Sequence, residues 1–129
     1  MPAVNSVNWF EIYVQDMARA RAFYESVFRI RLEALKLPEG SGEDLEMWSF
    51  PGDMERYGAN GALCRMAGVP SGAGGTLVYF ACEDCGATGA RVASAGGRVH
   101  REKMSIGEYG FIVLAFDTEG NLIGLHSMQ

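Results

Sequence analysis

The sequence predicts an α+β fold made of two βαβββ modules in tandem. Three observations carry this. The order strand, helix, strand, strand, strand occurs twice along the chain. An aspartate, Asp16 and then Asp84, stands ahead of each helix, and superposing the two also brings Ala22 onto Ala90 and Ser26 onto Ser94. A Gly/Ser-rich segment with one proline, Ala67 to Gly75 (AGVPSGAGG), separates the two runs and has little to bury. One domain over 1–129 is expected, with module one at 7–66, the linker at 67–75 and module two at 76–128.

Trp9 to Val14 reads as the first strand. Met17 to Phe28 reads as a helix, because Met17, Ala20, Phe23, Tyr24, Val27 and Phe28 recur at helical spacing. Arg19, Arg21, Glu25 and Ser26 fall mostly on other faces. Asp16 stands where an acceptor is wanted for the free N–H groups of the first turn. Ile30 to Leu35 alternates apolar and charged residues, as a half-buried strand does. Leu37 to Asp44 reads as a loop from its proline, glycines and acidic residues. Leu45 to Phe50 and Gly61 to Met66 are the next strands, joined by a polar turn region over Pro51 to Asn60. Thr76 to Cys82 opens the second module as a strand rich in aromatic and β-branched residues. Cys85 to Ala95 is the second helix, stopped by Gly96 and Gly97 and weakened by Gly86 and Gly89. Arg98 to Lys103 is a strand, Met104 to Tyr109 a loop, Gly110 to Phe116 an apolar strand, Asp117 to Asn121 a turn, and Leu122 to Met128 the last strand.

Composition narrows the function. The 129 residues are 48% hydrophobic and 21% charged, which is globular, and the net charge is −5. Lys and Arg are scattered, without the basic patch that nucleic-acid binding needs, so no nucleic-acid partner is expected. No run approaches the ~18 apolar residues that cross a bilayer, so no membrane partner is expected either. The opening Met-Pro-Ala-Val-Asn-Ser has neither a basic nor an apolar leader region, and a cytoplasmic location is expected. The 3 cysteines are then expected to stay thiols. The 17 glycines imply tight turns and close backbone approaches. With 2 histidines and 3 cysteines, few side chains are suited to hold a metal.

Three segments carry a resemblance. WFEIYVQDMARARAFYESVF, FACEDCGATGARVASAGGRV and YGFIVLAFDTEGNLIGLHS resemble the glyoxalase/bleomycin-resistance/extradiol-dioxygenase proteins, the vicinal oxygen chelate superfamily. The resemblance covers nearly the whole chain and implies paired modules whose sheets curve into a cup. It also implies a homodimer. Its members include lyases, isomerases, dioxygenases, thiol transferases and metal-free drug-binding proteins, so the fold does not choose the reaction. In metal-dependent members the ligands come from the first and last strands of each module. Those positions fall on Trp9, Cys64, Leu77 and Gly124 here, with Cys64 placed to within one or two residues. Trp, Leu and Gly side chains cannot coordinate a divalent cation, so neither a metal nor another cofactor is expected.

Alternation on a strand places Glu11 and Tyr13 on Trp9's side, Tyr79 on Leu77's, and His126 on Gly124's. Glu11 is a carboxylate inside an otherwise apolar strand. Burial would raise its pKa and suit it to proton transfer, or an Arg or backbone N–H groups would satisfy it as a structural residue. His126 is a second acid/base or hydrogen-bonding candidate, or a structural imidazole bonded to a main-chain carbonyl. Trp9, Tyr13, Tyr79 and Met66 would line an apolar pocket for a flat or aliphatic small molecule, or pack as ordinary core. Cys82-Glu-Asp-Cys85 is read as a chance CxxC spacing. Met104 to Gly110 is either a lid or a plain surface loop. The expected function is binding of a small organic molecule without a divalent metal, with possible proton transfer by Glu11. A metal-dependent lyase or dioxygenase and a non-catalytic drug-sequestering protein are the alternatives.

Overall fold

The computed structural model describes residues 5–38, 40 and 44–129, with the side chain of Val27 outside that description. Residues 1–4 of the opening segment and residues 39 and 41–43 of the expected 37–44 loop lie outside the described residues. Two compact units emerge, Trp9–Thr76 and the chain ahead of Trp9 together with Leu77–Gln129. The order βαβββ recurs as expected.

The first half contains β1 (Val7–Tyr13), α1 (Met17–Phe28), β2 (Glu33–Ala34), β3 (Glu46–Ser49) and β4 (Asn60–Arg65). Its strands lie in the order β2-β3-β4-β1. β1 runs parallel to β4, with Glu11 opposite Ala62 and Tyr13 opposite Cys64. β3 runs antiparallel to both β4 and β2. Helix α1 has the expected bounds. The Asp16 carboxylate accepts the Arg19 N–H at 3.0 Å, and Arg29 leaves the helix in the left-handed region at φ 55°. Met17, Leu32 and Leu63 form the buried core, with Ile12, Val14, Tyr24, Trp48 and Phe50 packed on it. Thus α1 covers the face of β1 that carries Ile12, and Trp9, Glu11 and Tyr13 share the opposite face. Phe23 and Phe28 stay more than half exposed.

The strand expected over Ile30 to Leu35 is only Glu33–Ala34. Its approach is diverted: the Glu25 carboxylate, seven residues back on α1, takes the Leu32 N–H at 2.9 Å. That bond seats Leu32, which is 2% exposed, in the core instead of pairing its N–H along the ladder.

The second half contains β5 (Thr76–Ala81), α2 (Cys85–Gly89), β6 (Arg98–Ser105), a 3₁₀ turn (Gly107–Tyr109), β7 (Phe111–Phe116) and β8 (Leu122–Ser127). Its strands lie in the order β5-β8-β7-β6, with β5 parallel to β8 and the remaining pairs antiparallel. Cys85, Val113 and Leu125 are its buried core, joined by Phe80, Cys82, Val92 and Ile123. Asp84 accepts the Gly86 N–H at 2.9 Å and the Lys103 ammonium at 3.0 Å. These contacts hold its carboxyl below the usual range, Lys103 most of all.

Helix α2 stops well short of the expected Ala95. Two glycines in five residues carry a low helix propensity, each costing about 1 kcal/mol relative to Ala. Packing explains Gly89: a Cβ there would stand 3.2 Å from Val113 Cγ1, so the bare backbone lets the helix close on β7. A chain of turns follows, closed by Gly97 N–H donating to Val92 O at 3.0 Å. Strand β6 runs past the expected Lys103 to Ser105. Its register shifts twice, between Val99 and Arg101 and between Arg101 and Met104, as β-bulges do, and pairing with β7 resumes at Met104 and Ser105. The expected Asp117 turn forms, with the carboxylate taking the N–H groups of Glu119 and Asn121 at 2.8 and 2.9 Å.

Candidate functional site

On the β1 face away from α1, three expected site residues meet directly. Tyr13 O–H donates to Glu11 Oε1 at 2.7 Å, and Trp9 Nε1–H donates to Glu11 Oε2 at 3.2 Å. Strand alternation makes this possible, since residues i, i+2 and i+4 point the same way. Glu11 is 7% exposed, and among the described residues no ion pair reaches it. Burial pushes its carboxyl above the ordinary carboxylate range, and the bonds from Tyr13 and then Trp9 pull it part of the way back. Beside it on β4, Ala62 and Cys64 are fully buried. The Cys64 thiol is pushed well up, first by burial and then by the Glu11 charge, and so keeps its proton.

A buried carboxyl of this kind makes stability depend on pH. The native state holds the Glu11 proton to higher pH than the unfolded chain does. Between the unfolded value near 4.5 and the raised native value, the native state binds more protons, so this contribution falls as pH rises. Urea unfolding across pH is therefore expected to show Glu11→Gln gaining stability relative to the unsubstituted chain above that range. A difference that stays flat with pH would contradict a raised Glu11.

In the second unit, Tyr79 is buried and pairs in register with Gly124. A Cβ on Gly124 would stand 2.2 Å from Tyr79 Cδ1, so the tyrosine ring occupies the space a side chain would need. The His126 Nε2 lies 2.6 Å from the Tyr109 carbonyl, which only accepts, so Nε2 carries the proton. Nδ1 then accepts from Asn8 Nδ2 at 3.2 Å, and both ring nitrogens are engaged by protein groups. Met66 follows β4 at the surface, 41% exposed, and its carbonyl takes the Val69 N–H at the start of the linker. The sequence reading does not single out Asn8 or Tyr109. Tyr109 contributes a main-chain carbonyl, which no side-chain pattern announces.

Among the described residues, no three or more His, Cys, Asp and Glu side chains come together as a ligand set. Trp9 is turned to Glu11, Leu77 is buried, and position 124 has no side chain. The side chains at positions 9, 77 and 124 therefore do not fit a divalent metal. Cys82 and Cys85 are free thiols that pack in one apolar cluster. No helix of the described residues is long and apolar enough to cross a membrane.

The chain resembles solved structures over almost all its length. A methylmalonyl-CoA epimerase from Mycobacterium tuberculosis superposes with a TM-score of 0.68 at 18% identity, covering 100% of this chain and 93% of that one. The hypothetical protein BH1468 from Bacillus halodurans gives a TM-score of 0.69 at 11% identity, covering 95% and 94%. A variant Streptomyces coelicolor methylmalonyl-CoA epimerase in complex with 2-nitronate-propionyl-CoA gives 0.65 at 16%, covering 97% and 98%. These likenesses show the fold. By sequence, the proteins named "Putative glyoxylase CFP32" of Mycobacterium bovis and Mycobacterium tuberculosis are 28% identical over 117 residues, 91% of this chain. This chain spans 42% of the length of those relatives. The family model described as Glyoxalase/Bleomycin resistance protein/Dioxygenase superfamily matches residues 6–125. With a match over nearly the whole chain and the same fold in its structural neighbours, the chain belongs to that superfamily.

Proposed function

We propose that this chain binds a small organic carbonyl compound and moves a proton on the carbon beside the carbonyl, with Glu11 as base and without a divalent metal. The observation that carries this reading is the buried Glu11 carboxyl, held by two neutral donors and, among the described residues, in no ion pair. A base with a raised pKa in a dry site has the driving force for abstracting a weakly acidic proton. In the step, the C–H bond breaks and its proton goes to Glu11. The electron pair forms an enolate whose charge lies on the carbonyl oxygen. Return of the proton restores the carboxylate. The absence of a ligand set at Trp9, Cys64, Leu77 and Gly124 supports a metal-free reaction. The structural neighbours named methylmalonyl-CoA epimerase support an acyl thioester as one probe. His126 receives no step, because its ring nitrogens are both engaged. The chain is proposed to work as a homodimer, a reading supported by exposed apolar side chains such as Phe23 and Phe28.

Proton NMR in D2O tests the reading with propionyl-CoA and cyclohexanone as probes, following exchange of the protons beside each carbonyl. Exchange above the buffer rate is expected for at least one probe, and Glu11→Gln is expected to slow it by roughly a hundredfold or more. Equal rates in the two proteins would remove Glu11 as base. Native mass spectra of the same samples report the dimer and any bound probe. Binding with no exchange would favour a sequestering role, and stoichiometric zinc, nickel, manganese or iron would overturn the metal-free part.

A further inference from the structure

We propose that Tyr13 is the positioning residue for Glu11: its hydroxyl, 2.7 Å from Oε1, acts with the Trp9 indole N–H, 3.2 Å from Oε2, to fix the carboxylate in one orientation and to support its charge, which no cation among the described residues pairs with. This inference rests on the reading of Glu11 as the base and goes further, to the group that makes the base usable.

The geometry is self-contained on one strand. Trp9, Glu11 and Tyr13 alternate along β1 and share a face, so both donors reach the carboxylate without a loop or a long side chain between them. Each oxygen has its own donor, which fixes the plane of the group as well as its position. Hydrogen bonds to an ionised acceptor are the stronger kind, and the shorter one here is from Tyr13. On β4, the residues in register offer no charge to compete. Asn60 and Ala62 stand opposite Trp9 and Glu11 and are uncharged, and Cys64 opposite Tyr13 keeps its proton. Burial opposes ionisation of Glu11, so the two donors are what the β1 and β4 strands supply in favour of the anion. Tyr13 is thus predicted to tune the base without touching the reacting carbon.

Carbon-13 NMR of the Glu11 carboxyl tests this in the free protein, with Glu-labelled samples and Glu11→Gln to assign the signal. Tyr13→Phe is expected to raise the Glu11 titration midpoint by on the order of one pH unit. Trp9→Phe is expected to raise it by less. In the exchange assay, the acidic limb of kcat moves up by the same amount in Tyr13→Phe, while KM stays within about twofold. A midpoint that stays put or falls in folded Tyr13→Phe overturns the proposal. If Tyr13→Phe does not fold, Trp9→Phe decides it in the same way, by a rise or by none. Failure of the base reading is seen separately: Glu11→Gln would then exchange the probes as fast as the unsubstituted chain, whatever the titration shows.

Discussion

Leu63→Ala is expected to cost about 2–5 kcal/mol of folding stability, the range for emptying a fully buried leucine site. Leu63 has no exposed surface and sits on β4, between β3 and β1. It is in register with Trp48 on one side and Ile12 on the other, and it forms the buried centre with Met17 and Leu32. Helix α1 and both neighbouring strands therefore lose contact at once, and a sheet pinned on two sides cannot collapse into the gap. The cost should approach the upper half of the range. At roughly 4 °C per kcal/mol for a chain of this size, the midpoint of thermal unfolding should fall by about 8–20 °C. Met54→Ala is the control. Met54 is 73% exposed, and a surface truncation of this kind changes stability by about 0.5 kcal/mol or less. A Leu63→Ala protein that melts with the control would mean that α1 is not packed on this strand.

The helix under which Leu63 lies was legible residue by residue. Met17, Ala20 and Tyr24 mark one face, Asp16 supplies the cap, and both are local signals within a few residues. The shortened β2 was not legible, because its cause is a carboxylate seven residues away on the helix taking a strand N–H. Alternation cannot foresee a side chain competing for a backbone donor. The second helix shows the same limit from another direction. Gly86 and Gly89 signalled weakness, but only the structure shows that a side chain at Gly89 would press on Val113. At the candidate site, period-two alternation placed Trp9, Glu11 and Tyr13 on one face correctly. The sequence named the carboxylate and could not say that both donors come from its own strand. For His126 it offered a structural role, bonded to a main-chain carbonyl, and the ring does make that bond to Tyr109.

Gly124→Val is expected to destabilise the chain by about 1–3 kcal/mol or more, as overpacking a tight site does. The reason is space and not backbone. Gly124 is absent from the glycines with left-handed φ, so a strand residue with a branched side chain suits its conformation. The obstacle is the Tyr79 ring, with Cδ1, Cε1 and Cγ between 2.2 and 2.7 Å from the Cβ that any other residue would add. Tyr79 is 7% exposed and has little room to swing away. Removing the ring should therefore remove the penalty. In the Tyr79→Ala background, Gly124→Val is expected to cost little, giving a coupling of about 1–3 kcal/mol in a double-mutant cycle read by urea unfolding. Additive effects within about 0.5 kcal/mol would show that the ring is not what holds position 124 bare. The coupling also bears on chemistry. Position 124 is where the family resemblance implies a ligand in metal-dependent members, and a glutamate or histidine introduced there meets the same ring as valine does. A donor at that position therefore needs two changes, at 79 and at 124, and Trp9 and Leu77 still offer none. A single Gly124→Glu protein should lose stability, and the loss should be smaller in the Tyr79→Ala background.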